Sequence, residues 1–485
     1  MDAPVTEPTQ PQTPAKNAGN SRRSAVGSAL RSEGRALLRL AIPIVWIAVV
    51  NMGMSLTDTI MVSAYFGADA LAAVAVGSDL QSIVFYFCAG VVGGLAPFYT
   101  AAISRRQDGE RLRLDRIGRA LVALLALVGA PLVWFAPDWL RHAGLDAGIL
   151  ERGRGYTQSM AVLLVPMLGI ALVRTVLTAA EQPKVFLAVT VAMLPLNAVA
   201  NLALMNGMGP VPALGPTGAG VSSVLVALAS LAVLVVVARR RLAPAGADAA
   251  PAGAAATPAI DARGLSDVLR VGLPIGITMT AETGIFLGAT LYAATLGAAA
   301  VAAHTLTLRM AGVAYAGSAA LLQAAMVRTA RATALQDARA TRDVASASLV
   351  LAAIGGTAML LLLAVGARPL SSAFFGGDTV GLAAAETAVG LLLLLGLMQL
   401  AGYPALAASG LLRGRKDSRT PMLCMLAGYW GVGVPLGLYL CEVRALGVTG
   451  LWAGLAAGAA ATAVLTLLRL PGPRRWLAAR FGPPR

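Results

Sequence analysis

An all-α integral membrane protein with twelve transmembrane helices in two six-helix repeats is the fold class that this sequence predicts, and three observations predict it. The first is composition: of 485 residues, 57% are hydrophobic and 13% charged, with a mean hydropathy of +0.74, whereas soluble chains carry about 25% charged residues. The second is segmentation, because runs of about 20 apolar residues, the length that a hydrocarbon core of about 30 Å demands, recur twelve times. The third is a set of short motifs that returns once, half a chain later.

The spans fall near residues 40–62, 80–103, 117–135, 160–180, 186–205 and 218–238, then 268–293, 305–326, 348–365, 389–411, 422–440 and 450–468. Residues 1–36 read as a tail with no apolar h-region, so no cleavable signal peptide is expected. Residues 37–240 form an N-lobe of helices 1–6 and residues 265–470 a C-lobe of helices 7–12. Between them, 241–264 read as a linker centred on the Ala/Pro/Gly-rich stretch 242–258, which has nothing to build a packed core. Residues 471–485 form a basic tail.

Lys and Arg number 38 against 23 Asp and Glu, a net charge of +15. Their placement explains that excess without a nucleic-acid partner. Arginines cluster after span 2 (Arg105, Arg106, Arg111, Arg113, Arg116), span 6 (Arg239 to Arg241), span 8 (Arg328, Arg331, Arg339, Arg342) and span 10 (Arg413, Arg415, Lys416, Arg419). The intervening loops hold few, chiefly Arg141, Arg152, Arg154, Arg368 and Arg444. The positive-inside rule then puts both termini in the cytoplasm, which requires an even number of spans. The Ala- and Arg-rich composition points to a GC-rich bacterial source and thus to an inner membrane.

Other classes are excluded by missing residues. Cys88, Cys424 and Cys441 all lie in or beside apolar runs, so neither a disulfide framework nor a CxxC metal site is available. His142 and His304 are too few for haem or copper, and no GxxxxGK[ST] cradles a nucleotide phosphate. No cofactor is expected. HExxH, GxSxG and GxGD are likewise absent, which leaves a polytopic membrane enzyme as the alternative of another class.

The halves share three motifs. Leu38-Arg39 with Pro43-Ile44 returns as Leu269-Arg270 with Pro274-Ile275. Gly67-Ala-Asp-Ala-Leu-Ala-Ala73 returns as Gly297-Ala-Ala-Ala-Val-Ala-Ala303, and Leu214-Gly-Pro-Thr-Gly218 as Leu446-Gly-Val-Thr-Gly450, all within a register of 230 to 232 residues. Because each repeat holds an even number of spans, the halves enter the membrane in the same orientation. Secondary transporters built this way bind substrate between the halves and expose it alternately.

Ionisable residues inside spans carry the sharpest information, since a carboxylate at the bilayer centre costs at least about 2.5 kcal/mol. Asp58 in span 1 and Glu282 in span 7 are the acids read as lying well inside. By helical rise Asp58 stands about 22 Å beyond Pro43, and Glu282 about 12 Å beyond Pro274, so they occupy different depths. Either can take up a proton or bind sodium with neutral oxygen ligands, or can be held by donors for packing alone. Arg174 and Arg309 are the basic residues read within spans, both near span ends and snorkelling. Asn197 and Asn201 share a helical face at i, i+4, as an interhelical clamp or as ligands, and Ser222 and Ser223 open span 6 with hydroxyls. Pro43 and Pro274 read either as first-turn prolines or as hinges. Two buried acids with few buried bases make the cleft net negative and suit a cationic substrate. Phe85, Tyr86, Phe87, Met279 and Met398 supply candidate apolar lining.

The ordered set of Pro43 with Asp58-Thr-Ile-Met, Gly67-Ala-x-Ala-Leu-Ala-Ala, Asn197 with Asn201, Pro274 with Glu282, Ala302-Ala303-His304, Leu412-Arg413-Gly414-x-Lys416-Asp417 and the paired Leu-Gly-x-Thr-Gly resembles multidrug and toxic compound extrusion (MATE) transporters over about residues 36–470. The resemblance implies a V-shaped two-lobe transporter that exports cationic amphipathic drugs by antiport against protons or sodium. It implies ion coupling at Asp58 in a cavity lined by Asn197, Asn201 and Ser223; with the residue-level reading, Glu282 joins the ion-coupling candidates, and Asp58, Glu282, Tyr86 and Met279 are the candidates for substrate binding. It also implies a hinge at Pro43, a possible sodium ion at Asp58, Asn197 and Asn201, and function as a monomer among membrane lipids. Two departures bear on coupling: Asn201 stands where some members carry a second acid, and Gly402 aligns where sodium-coupled members carry the aspartate that pairs with the acid matching Glu282. The first thins a proton-relay network and the second leaves a C-lobe sodium site short of a carboxylate, so protons are the expected coupling ion. His304 is expected as a solvent-facing cap. A lipid-linked oligosaccharide flippase of related fold is the alternative within transport, and it calls for cleft arginines facing pyrophosphate.

Overall fold

The computed structural model describes residues 15–208, 212–242, 261–376 and 378–470. Twelve helices among them are long and apolar enough to cross a membrane: α1 (Leu30–Gly67), α2 (Asp69–Ser104), α3 (Asp108–Trp134), α4 (Ala147–Ala179), α5 (Pro183–Asn206), α6 (Pro216–Leu242), α7 (Ala262–Ala294), α8 (Ala298–Ala334), α9 (Ala338–Phe374), α10 (Thr379–Gly414), α11 (Arg419–Glu442) and α12 (Gly447–Leu468). The helix containing α1 reaches back to Ala15, and a short helix, Ala136–His142, leads into the α3–α4 connection. Most helices outrun the apolar segments that predict them. Of the stretch 241–264, residues at both ends are helical in α6 and α7, and 243–260 lie outside the described residues, as do 1–14 and 471–485.

Helix extension corrects several sequence readings. Asp79 lies well inside α2 and Arg413 inside α10, so the spans hold more charged residues than apolar windows suggest, and Arg309, read near a span end, lies well inside α8. Pro43 and Pro274 are interior to α1 and α7, which removes the first-turn explanation for both. A proline at that depth leaves the carbonyl four residues earlier without its helical donor, here the carbonyls of Arg39 and Arg270.

Two of the three repeated motifs are repeated turns. Gly67 and Gly297, which separate the first two helices of each half, have φ of +80° and +100°; Gly215 and Gly447 have +60° and +55°. A side chain is strained in that left-handed region, so glycine returns wherever the turn returns.

Each half has its own core. Val62, Val84, Cys88, Leu164 and Met205 centre the first; Ile285, Leu306, Leu391, Leu395 and Trp452 centre the second. The leading helix of each half also crosses to the other. At its start α1 packs Leu37, Leu40, Ala41 and Ile44 on Ala320, Ala324 and Val327 of α8. At Ile47 it has turned to Leu177, Phe186 and Leu234 of its own lobe. Meanwhile α7 crosses α2 where Gly90 and Gly94 meet Gly276 and Gly272; a Cβ on Gly90 would come within 2.8 Å of the Gly276 Cα. Only paired small residues let two helices approach that closely.

Polar contacts between the lobes lie, among the described residues, at the arginine-rich ends. Arg328 of α8 donates to Glu33 of α1 at 2.8 and 2.9 Å and to Glu181 beyond α4 at 3.0 Å, and Arg331 adds a 2.9 Å bond to Glu181. Arg105 donates to the Ala334 carbonyl at 2.8 Å, Lys416 stands 3.9 Å from the Phe98 ring centroid, and Arg113 pairs with Asp261 at the start of α7. The Gly264 N–H and the Arg113 guanidinium hold the Asp261 carboxyl below the usual carboxylate range. The lobes therefore close at this end and part toward the other, a V.

Arg328 and Glu33 keep 16% and 17% side-chain exposure, so the pair is shielded better than a surface ion pair. Arg328→Gln strips Glu33 and Glu181 of a charged donor. We expect it to weaken closure by about 2 kcal/mol, measured by spin-label distances between Arg106 and Leu335 broadening toward longer values. An unchanged distribution would show that the cluster does not hold this end shut.

Candidate functional site

Asp58 sits on the half of α1 that belongs to the N-lobe and faces α5. The i, i+4 spacing does what helical geometry requires of it: Asn197 and Asn201 lie on one face, 2% and 0% exposed. Their Nδ2 atoms donate to the same oxygen, Oδ1 of Asp58, at 2.9 and 2.5 Å. Two charge-assisted bonds offset the desolvation of a carboxylate that hydrocarbon would otherwise oppose. Both bonds leave the second oxygen, Oδ2, to other partners. Among the described residues both amide oxygens are buried without a partner, as is Ser222 Oγ. Ser223 stays out of this network, its hydroxyl donating to the Ala219 carbonyl at 3.0 Å. Buried Tyr156 of α4 is within Coulombic range of Asp58 and Asp79, and Arg309 of α8 is within range of Asp79 from across the V.

A second cluster occupies the C-lobe. Tyr315 of α8 donates to Glu282 Oε2 at 3.1 Å. Tyr429 and Arg413 both act on Glu282 at Coulombic range. Arg413, read from sequence as a loop cation, is 7% exposed and its Nε has no partner among the described residues. The side chains of a helix lean toward its N-terminus, and α10 runs toward the arginine-rich face, so Arg413 leans back into the membrane. It makes no ion pair with Glu282 within 4.0 Å among the described residues. Tyr429 belongs to a π-helical segment, Leu426–Gly433, of the kind that clusters at functional sites. No apolar periodicity announces that segment.

Gly402 on α10 has open space beside it, the nearest atom to a methyl group placed there being Gln399 Oε1 at 4.0 Å, and no carboxylate replaces it. His304 is corrected from solvent-facing cap to core residue: fully buried at the start of α8, it bonds Thr290 at 2.9 Å and accepts from Trp452 Nε1 at 3.1 Å. Tyr86 is 45% exposed on α2 and Met279 half-buried on α7. Each stands about one turn above the Gly90–Gly276 crossing, at the floor of the V, and neither bonds an acid. Arg174 stacks 6.0 Å from the Phe186 ring centroid.

Among the described residues no three of His, Cys, Asp and Glu gather as metal ligands. Asn197 and Asn201 turn their nitrogens to Asp58, which leaves their two buried oxygens without a partner among the described residues.

Because Arg413 and Glu282 attract without touching, removing one leaves the other uncompensated. We expect Glu282→Gln and Arg413→Gln each to destabilise the detergent-purified protein, and the double variant to recover about 1–3 kcal/mol relative to their sum. Denaturation midpoints of the four proteins measure that coupling; strict additivity would refute it.

The MatE family profile matches residues 43–203 and 274–439, one segment in each lobe. The multidrug resistance protein NorM of Burkholderia vietnamiensis is 29% identical over 465 residues, covering 93% of this chain and 97% of the relative. The probable multidrug resistance protein NorM of Burkholderia pseudomallei is 30% identical over 434 residues, covering 89% and 91%. The crystal structure of the eukaryotic MATE transporter AtDTX14 superimposes with a TM-score of 0.78 at 18% identity, over 93% of this chain and 99% of that one, which is agreement of fold. Matching segments in both lobes, full-length relatives and a shared two-lobe fold place this chain in the MatE family of multidrug and toxic compound extrusion proteins, transporters and not enzymes.

Proposed function

We propose that the chain is a secondary antiporter that exports cationic amphipathic compounds across the bacterial inner membrane, taking up protons in exchange by alternating access. It works as a monomer with both termini in the cytoplasm. The observation that carries this reading is Asp58: a carboxylate with two amide donors on one oxygen, which leaves the other oxygen to take a proton.

That arrangement suits the charged form, which only accepts hydrogen bonds. A proton arriving on Oδ2 turns an acceptor into a donor and cancels the charge that holds a cationic substrate. Proton and substrate thus compete for one group, the minimum that exchange needs. Pro43 supports the coupling, because α1 passes from C-lobe to N-lobe contacts between Ile44 and Ile47. The missing hydrogen bond to Arg39 lets the helix bend where it changes lobes. Glu282 on α7 offers a second cation site, with Tyr86 and Met279 forming an apolar floor beneath the substrate.

Sodium is the second reading, favoured by the buried amide oxygens of Asn197 and Asn201, which have no partner beside Asp58 among the described residues. If both amides turn, two neutral oxygens and a carboxylate face one point, a set that a hard monovalent cation accepts. The flippase alternative gains less, since Arg413 stands beside an acid and not in a cluster of cations.

Ethidium movement in proteoliposomes under an imposed proton or sodium gradient tests this. Under a proton gradient, Asp58→Asn is expected to lower exchange by at least tenfold, a loss of about 1.4 kcal/mol or more, while Asn197→Ala retains proton-driven exchange. A sodium requirement whose half-saturation rises in Asn197→Ala and Asn201→Ala would establish the second reading. Wild-type exchange rates in correctly inserted Asp58→Asn protein would sink both.

A further inference from the structure

A groove of about 500 Å³ runs along the outer flank of the C-lobe between α7 and α11. Leu269, Leu273 and Ile277 form its α7 wall, and Met422 and Leu423 its α11 wall. The first three lie at i, i+4 and i+8, a single stripe climbing about 12 Å along the helix. Leu273, Ile277 and Leu423 are 40%, 41% and 59% exposed, although apolar, because no part of the described chain covers them.

Two guanidinium groups border the groove, those of Arg270 and Arg419. Arg270 has one distant partner, Asp267 at 3.8 Å, in a pair left 70% and 60% exposed. Arg419, at the first position of α11, forms no ion pair among the described residues. Both stand at the arginine-rich end of the helices, which places the groove in a single leaflet with its charges at the headgroup level and its apolar stripe beneath. Arginine forks match phosphate oxygens in pairs, and basic residues at this level select anionic lipids. Neutral headgroups would leave the net positive charge unanswered.

We propose that this groove is a binding site for one anionic phospholipid, whose phosphate is held by Arg270 and Arg419 and whose acyl chain lies on the Leu269–Leu273–Ile277 stripe. The site depends on the arginine-rich face being cytoplasmic, and it is independent of which ion or substrate is exchanged. It also gives Leu269-Arg270, the second copy of the Leu-Arg motif, a purpose that transport chemistry does not. Pro274 lines the same groove, and α7 meets α2 through Gly272 and Gly276, about a quarter-turn around the helix from the stripe. A lipid seated there braces the helix that carries Glu282 from outside.

Native mass spectrometry of the full-length protein, equilibrated with equimolar phosphatidylglycerol and phosphatidylcholine of matched chains, tests the site. Wild type is expected to retain phosphatidylglycerol over phosphatidylcholine by roughly fivefold or more, and Arg270→Gln/Arg419→Gln to bring that ratio near unity. Arg239→Gln/Arg240→Gln, which removes arginines at the end of α6, leaves the preference unchanged, and excess glycerol phosphate fails to displace the lipid. Equal retention of the two lipids by wild type, persistence in the first double variant, equal loss in the second, displacement by glycerol phosphate, or a lipid-free dimer in the spectrum would each overturn the proposal. Should the first double variant not fold, Leu273→Trp fills the groove with both arginines intact; it is expected to reduce phosphatidylglycerol retention, and full retention overturns the site.

Discussion

Hydrocarbon offers no hydrogen bonds, and that constraint arranges this molecule. A charged side chain at membrane depth has to find its donors or counter-charges in the protein or in a water-filled cleft. Asp58 finds two amides on one face of α5. Glu282 finds a tyrosine hydroxyl on α8 and the field of Arg413 from α10. Each solution recruits residues from helices distant in sequence, so the bundles have to pack in one register for the charges to be tolerated at all. Polar chemistry and helix packing are in this sense a single requirement.

The leading helices carry the consequence further. The acid of each lobe sits on a helix whose other end belongs to the opposite lobe, α1 through Leu37–Ile44 against α8 and α7 through Gly272 and Gly276 against α2. Events at Asp58 are therefore one rigid segment away from the lobe interface, with Pro43 where that segment changes partners. The lobes meet through paired glycines at the α2–α7 crossing, through Leu37, Leu40 and Ile44 of α1 on α8, and through the contacts of Arg328 with Glu33 and Glu181 at the rim.

Much of this was legible from residues in order. Turn glycines repeat because left-handed backbone repeats, so Gly67 with Gly297 and Gly215 with Gly447 betray the duplication. Asn197 and Asn201 are recognisable because the i, i+4 rule needs only one helix. What stayed hidden needs two. Arg413 looks like a loop cation until α10 is seen to continue past its apolar stretch, and Asp79 escapes notice for the same reason: hydropathy windows report hydrocarbon thickness, whereas helices run beyond it. Tyr315 and Tyr429 carry no local mark, since their meeting with Glu282 is set by packing and, for Tyr429, by a π-helical segment. His304 misleads in the other direction, its polar ring being satisfied inside the core by Thr290 and Trp452.

The duplicated backbone nonetheless holds two unlike chemistries, and the difference bears on direction. The N-lobe site is made of neutral amides that can rotate, exchanging donor for acceptor without moving a helix, so it can follow a change of charge on Asp58 at little conformational cost. The C-lobe site contains a buried guanidinium that stays charged at any physiological pH, so its field on Glu282 is permanent. A cation approaching Glu282 is opposed by Arg413, whereas one approaching Asp58 meets no fixed positive charge among the residues that bond it. Under the exchange proposed above, coupling to motion would be concentrated in one lobe, at the acid whose surroundings can accommodate both of its charge states, and the second lobe would discriminate among substrates by how each answers the Glu282–Arg413 field.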